Sequence, residues 1–253
     1  MKLQLIRNAT LRLTYGGHTF VIDPYLAVKH SLPSYTGRSP NPLVDLPMPP
    51  EAVLDGIEMA VVSHLHSDHF DKSAQVLLPK DTPIFCQPGN ENRIEAQGFE
   101  QVTPIVEEMT WHDISLRRTP GRHGFSENVL KDMGQVSGFI FQNPAEPTVY
   151  WAGDTVWYEA VEGVLQQWQP DIIITHSSGA VWGSQGEHIV MNAEQTIAVC
   201  RAAPQSTVIA THMEALDHGT VSRADLREAA RQAGISDEQL LIPADGEVLE
   251  LPG

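Results

Sequence analysis

The chain has 253 residues, 42% of them hydrophobic, and a formal charge of -16 at pH 7 with a pI near 4.9. That apolar content fills one large core, so a single domain over 1–253 is expected. The acidic balance repels phosphate backbones and anionic headgroups, which argues against nucleic-acid and membrane partners. It leaves a small-molecule substrate, anionic only where bound cations reverse the local field, with homo-oligomerisation open.

Residues 3–26, LQLIRNATLRLTYGGHTFVIDPYL, read as short strands turning at Gly16-Gly17 and ending at Asp23-Pro24. Arg7 and Asn8 interrupt the first apolar run too early for a secretion signal, and no later stretch approaches the roughly 18 apolar residues of a membrane span. A cytoplasmic chain is expected. Seven prolines between Pro24 and Pro50 disfavour helix and central strand there and leave a long ordered loop or flap over 24–50. Strand and helix then alternate, with IEMAVVS a buried strand, DKSAQVLL a helix, TPIFCQ a strand and NENRIEAQG a helix closed by Gly98.

Residues 101–152 turn to strands, DISLRRTPG, VSGFIFQN and TVYWAGD, each short, β-branched or aromatic, and bounded by Pro, Gly or Asn. Alternation resumes with the helix YEAVEGVLQQW, the strand DIIITHS, the helix NAEQTIAVCRAA capped by Asn192, and the strand STVIATH. The last helix, SRADLREAARQAG, has Ser222 as its cap, Asp225 in its first turn and Gly234 behind its end. Two β-rich stretches are thus each followed by βα units. Cys86 and Cys200, the only cysteines, have no disulfide or zinc spacing and are expected to be core thiols.

The titratable residues gather at predicted strand ends, where α/β proteins assemble sites: Asp23, the run VVSHLHSDHFD, His123, Asp154 and His212. Side chains two apart in an extended chain project to the same side, so His64 and His66 can share one ion. Asp68 and His69 point elsewhere and suit a second ion, and two ions about 3.5 to 4 Å apart can hold a shared hydroxide. Asp154, in GDT, is a natural bridge with one oxygen for each.

HLHSDH resembles the HxHxDH motif of the metallo-β-lactamase superfamily, and Asp23, His123, Asp154 and His212 follow in that family's order. The resemblance implies a four-layer αββα sandwich with two divalent ions between its sheets, Zn2+ first, with Mn2+ or Fe2+ as the alternatives. It further implies His64, His66 and His123 on one ion, Asp68, His69 and His212 on the other, Asp154 bridging, and Asp23 steadying a ligand imidazole. IDPYL, GDT, EHIVMNAEQTIAV and THMEALDH look most like the branch containing the ascorbate-6-phosphate lactonase and the N-acyl phosphatidylethanolamine phospholipase D, and that likeness covers nearly the whole chain.

The chemistry implied is hydrolysis of a small lactone, ester, amide or phosphodiester by hydroxide held between the ions, with Asp68 orienting it or moving a proton. A di-iron redox or persulfide-oxidising enzyme on the same ligands, and a non-catalytic metal-binding protein, are the alternative classes. His188 matches a histidine of the phospholipase-like members and is the second catalytic candidate. Arg122, His176 and His218 are candidates for substrate binding, each against the commoner reading of a structural or solvated side chain. The pocket is expected from the 24–50 loop with Tyr25 and Tyr35, the 124–135 loop, and SSGAVWGSQGEH.

Overall fold

Gly16 and Gly17, at φ 58° and 80°, close the turn that the glycine pair predicts, and the strands beside it pair from Leu11 opposite Ile22 to Tyr15 opposite His18. The computed structural model describes residues 1–183 and 185–251. It begins with β1 (Lys2–Arg7), β2 (Thr10–Tyr15) and β3 (His18–Ile22). Past the proline-rich loop come α1 (Pro50–Leu54), β4 (Met59–Val62), α2 (Lys72–Leu77), β5 (Ile84–Cys86), α3 (Glu91–Glu95) and β6 (Val102–Pro104). The second half opens with β7 (Glu108–Trp111), β8 (Ile114–Pro120), α4 (Glu127–Met133), β9 (Ser137–Asn143) and β10 (Glu146–Trp151). It continues through α5 (Glu159–Trp168), β11 (Ile172–His176), the short pair β12 (Val181–Trp182) and β13 (Glu187–His188), and α6 (Ala193–Ala202). It ends with β14 (Thr207–Thr211), α7 (Arg223–Gln232), β15 (Leu240–Leu241) and β16 (Val248–Glu250).

Both large sheets follow one plan. The first, ordered β16-β1-β2-β3-β4-β5-β6, is antiparallel up to β3 and parallel beyond it. The second, ordered β15-β14-β11-β10-β9-β8-β7, is antiparallel from β7 to β10 and parallel from there to β15. This is the expected sequence of two β-rich stretches each followed by βα units.

Side chains alternate between the faces of a strand, and here each face has its own core. Leu3, Leu5, Leu11 and Leu13 of the first sheet meet Phe139, Phe141, Val149, Trp151, Ile172 and Ile174 of the second in one buried cluster, so the sheets pack face to face. The opposite parity serves the helices. Val21, Ala60, Val62 and Ile84 pack under Val53, Ala74 and Ile94 of α1, α2 and α3. Ile140, Tyr150, Ile173 and Val208 pack under residues of α5, α6 and α7. The result is the αββα sandwich, in which each fully buried Leu, Ile or Phe contributes about 1.5–3 kcal/mol. Cys86 and Cys200 are buried and unpaired, and burial pushes both thiols up to about 12.

The expected loop at 124–135 contains α4. Ser126 caps it by accepting from the Val129 N–H, and Gly134 ends it at φ 74°. Among the described residues no helix is long and apolar enough to cross a membrane.

Candidate metal centre

Asp23 leaves β3, the run His64 to His69 leaves β4, His123 follows β8, Asp154 follows β10, His176 ends β11 and His212 follows β14. Within each sheet these strands run the same way, which sets their carboxyl ends along one edge. Asp23 and His212 turn there with φ of 46° and 61°, a region costly for residues with a Cβ and kept where a site over-determines the backbone.

Asp154 stands in the middle. Its Oδ2 lies 3.1 Å from His69 Nε2, 3.3 Å from His123 Nε2 and 3.7 Å from His64 Nε2, while Oδ1 lies 3.7 Å from His212 Nε2. His64 Nε2 and His66 Nδ1 are 2.9 Å apart, and Asp68 Oδ2 is 3.2 Å from His212 Nε2 and 3.4 Å from His69 Nε2. Two ligand atoms about 2.0–2.1 Å from one tetrahedral ion stand about 3.3 Å apart, and these separations bracket that value. His69 Nε2 is buried yet makes no hydrogen bond. Donor type, spacing and that orphaned nitrogen all fit divalent ions of the zinc class.

The backs of the imidazoles are tied. His69 Nδ1 bonds Asp23 Oδ2 at 2.7 Å, His123 Nδ1 bonds the Ile189 carbonyl at 2.6 Å, and His64 Nδ1 and His212 Nδ1 meet the hydroxyls of Ser63 and Ser178 at 2.9 and 3.4 Å. Since a carboxylate and a carbonyl only accept, His69 and His123 carry hydrogen on Nδ1, and a neutral ring then turns its Nε2 lone pair to the centre. Ser63 also gives its N–H and hydroxyl to Asp23, so one carboxylate fixes both sides of the motif.

Charge in the cluster is unbalanced by protein groups alone. Burial pushes His123 and His176 down to about 4, and burial with neighbouring imidazoles drives His64 lower than its ordinary value. Burial opposes ionisation of Asp154 and Asp68, but the facing imidazoles, His69 foremost, more than offset it and hold both carboxyls well below the usual range. Burial would lower His69 too, yet the Asp154, Asp68 and Asp23 carboxylates raise it. The cluster calls for positive charge at its centre.

Above the donors opens a cavity of about 240 Å³, floored by His66, Asp68, His123 and Asp154 and walled by Tyr35, Met133, Trp182 and Ile189. Ser67, Asp132 and His218 complete it, and among the described residues no lysine or arginine lines it. The expected walls contribute Tyr35 from the proline-rich loop, Asp132 and Met133 from the 124–135 stretch and Trp182 from SSGAVWGSQGEH; Ser184 of that stretch lies outside the described residues.

Four candidates fall elsewhere. Tyr25 is fully buried with the Arg7 guanidinium over its ring. His176 is fully buried within reach of His69, Asp154 and His212, with Nδ1 on Asp154 Oδ1 at 2.5 Å, so it braces that carboxylate and does not line the cavity. Arg122 donates to the Phe125 carbonyl and lies over the Phe125 and Tyr158 rings, away from the cavity lining. His188 pairs with Val181 in the β12-β13 ribbon, bonds the Gly179 carbonyl at 3.1 Å, and is likewise not in the lining.

Ser63 and Asn8 are among the site residues that the motif does not reveal. Ser63 directly precedes the motif. Asn8 follows β1 as Asp23 follows β3; its amide donates to the Asp68 carbonyl at 3.1 Å, and its own carbonyl accepts the His212 N–H at 2.9 Å. The signal was available, a polar residue at a strand's carboxyl end.

A family model described as "Beta-lactamase superfamily domain" matches residues 18–213. The chain is 38% identical over 252 residues to UPF0173 protein YddR of Bacillus subtilis, covering 98% of each. It is similar to the crystal structure of a "possible metal-dependent hydrolase" from Veillonella parvula, with 34% identity, TM-score 0.95 and 99% of both chains covered. It is also similar to an isothiocyanate hydrolase from Delia radicum gut bacteria, with 35% identity, TM-score 0.92 and the same coverage.

Proposed function

Because the chain belongs to the β-lactamase superfamily and, within it, to the UPF0173 proteins, we propose that it is a metal-dependent hydrolase acting on a small, uncharged electrophile. One observation carries this reading: a converging His and Asp donor set opens directly into a mostly apolar-walled cavity of about 240 Å³ that, among the described residues, no lysine or arginine lines. A phosphodiester would be met by the ions alone, beside the Asp132 carboxylate and, among the described residues, without a guanidinium or ammonium for its other oxygens. An isothiocyanate, R–N=C=S, is the first class to test, and an activated ester or lactone the second.

His64, His66 and His123 would hold one ion and Asp68, His69 and His212 the other, with Asp154 shared. His176 is close enough to compete for the second set, but its Nδ1 is already given to Asp154 Oδ1 at 2.5 Å, whereas Asp68 faces the cavity. When bound, two divalent ions, zinc first, supply an acidified water and a Lewis acid beside the bond under attack. The chain's own groups do the rest. Asp23 and Ser63 keep the His64 and His69 lone pairs aimed inward, and Asn8 fixes Asp68. Asp68 Oδ1, beside the Tyr35 hydroxyl, orients the attacking water. Met133, Trp182 and Ile189 hold the apolar body of the substrate and exclude competing water. With an isothiocyanate the water oxygen bonds the central carbon, the C=N π pair and the proton released by water go to nitrogen, and the thiocarbamic acid then breaks its C–N bond to give the amine and carbonyl sulfide; with an ester or lactone the adduct breaks its C–O bond and that proton goes to the departing oxygen.

The test is metal analysis of protein purified without added metal, followed by assays with benzyl isothiocyanate, phenyl acetate and bis(4-nitrophenyl) phosphate. Two metals per chain, mainly zinc, and fastest turnover of the isothiocyanate are expected. Less than one metal per chain, or fastest turnover of the phosphodiester, overturns the reading.

A further inference from the structure

The cavity has a side that the ligand set leaves unexplained. Tyr35 reaches it from the proline-rich loop, with its hydroxyl 2.8 Å from Ser67 Oγ and 3.3 Å from Asp68 Oδ1. Its ring meets that of His218 edge-on, the centroids 4.8 Å apart. His218 lines the same cavity, is only 6% exposed, and has an Nδ1 with no hydrogen-bond partner among the described residues. A buried polar atom left unpaired is destabilising, so such atoms are rare unless water or a ligand completes them.

The loop that delivers Tyr35 is held with unusual completeness by one carboxylate. Asp217 accepts from the Tyr35 N–H at 3.0 Å, the Thr36 N–H at 3.1 Å and the Asn41 amide at 3.1 Å, and also from the Ser34 and Thr36 hydroxyls. Arg38 donates to the Asp217 carbonyl. The residues before, at and after Tyr35 are therefore fixed to the residue that precedes His218. A loop needing only to cover the sandwich has no use for such placement of one phenol; a hydrogen-bond donor that must meet a reacting atom does.

We propose that Tyr35 and His218 are the pair that hydrogen-bonds the substrate's heteroatoms from the cavity wall beside Asp68, and that Asp217 is a positioning residue acting through Tyr35. The inference rests on the hydrolase reading. As water adds to the carbon, negative charge grows on the nitrogen, sulfur or oxygen that receives the π pair, and the Tyr35 hydroxyl leaves Ser67 and Asp68 to donate to it. Neither side chain changes its proton count.

Tyr35→Phe, His218→Ala, Asp217→Asn and Tyr35→Phe/Asp217→Asn test this with three readouts: metal content, steady-state kinetics on benzyl isothiocyanate, and calorimetric binding of benzylthiourea, an inert neutral mimic of the hydrated substrate. The expected result is wild-type metal content in all variants and kcat lower by about 100-fold in Tyr35→Phe and about 10-fold in His218→Ala. Benzylthiourea binding should weaken by about 5- to 20-fold in both. Asp217→Asn should lower kcat, and the double variant should fall no further than Tyr35→Phe alone, within about 2-fold, because coupled residues are not additive. Unchanged kcat and unchanged benzylthiourea binding in Tyr35→Phe overturn the proposal, as does a multiplicative double variant for the role of Asp217. If the wild type turns over none of the substrates but binds benzylthiourea through Tyr35 and His218, the hydrolase reading fails and the binding pair stands. If it neither reacts nor binds, both fail.

Discussion

In the donor set that underlies the cavity His64, His69, His123 and His212 are each fixed from behind, by Ser63, Asp23, the Ile189 carbonyl and Ser178, and all lie beyond the carboxyl ends of strands in packed sheets. The wall above is different. Tyr35 rides on a loop with little regular structure, held in place by Asp217, while Met133 and Trp182 come from a short helix and a two-residue strand. The donor set spreads its constraints over many elements; the Tyr35 side of the wall concentrates them in one carboxylate. A site divided this way keeps ligand geometry constant while the wall can differ between relatives with different substrates.

The sharpest way to break the floor is to remove a donor. His64→Ala deletes one nitrogen and leaves the first ion two imidazoles and a share of Asp154, a set too weak to retain it, so bound metal should fall to one or fewer per chain and kcat/KM by about 1000-fold or more. Metal analysis and kinetics check it together, and a variant with two metals and full activity would mean the donors do not work as a set. One step back from the ligands the effect should shrink. Asp23→Asn keeps the size but gives one oxygen where the carboxylate used two, against three donors: the Ser63 N–H, the Ser63 hydroxyl and His69 Nδ1. Metal affinity should weaken by about 10- to 100-fold with the fold retained, read by chelator competition.

The same division explains what could be read from the chain. His64, His66, Asp68 and His69 lie within six positions, and Asp154 and His212 stand at predicted strand ends, so the floor was visible once strands were assigned. The sheets were legible because alternating apolar residues must face one core or the other, as in Leu3, Leu5, Leu11 and Leu13. The Asp217 clamp was not, since its partners Ser34, Tyr35, Thr36 and Asn41 are 176 to 183 positions away and none has a distinctive local pattern. α4 was missed although Ser126, Glu127 and Gly134 carry ordinary start and stop signals, because Gly124 and the polar residues around it read first as loop.

Acid should separate wall from floor more gently. Burial works to raise the Asp217 carboxyl, but the donors from Ser34, Thr36, Tyr35 and Asn41 outweigh it and hold the group well below the usual carboxylate range. A carboxyl depressed on folding contributes stability above its unfolded pKa, near 3.9, and loses it as pH falls through the folded value. Hydrogen exchange of residues 33–41, corrected for intrinsic rates, should therefore show protection constant from about pH 7 to 4 and falling below that. Loss of protection between about pH 6 and 5 would assign the clamp to another group.

The smallest effect should come from the histidine that looked most catalytic outside the motif. His218 stands six residues past His212 and His188 four before the Asn192 cap, but His188 spends Nδ1 on the Gly179 carbonyl within the β12-β13 ribbon, while among the described residues the Nδ1 of His218, which lines the cavity, has no partner. Losing a half-buried hydrogen bond to a carbonyl costs about 0.5–1.5 kcal/mol of stability and touches no reacting atom. His188→Ala should therefore melt a few degrees lower, keep its metal, and hold kcat/KM within about 3-fold of wild type, against the roughly 10-fold kcat loss expected for His218→Ala. A 100-fold loss in His188→Ala with metal retained would show that the ribbon swings over the cavity during turnover, and would make the wall a moving part of the site.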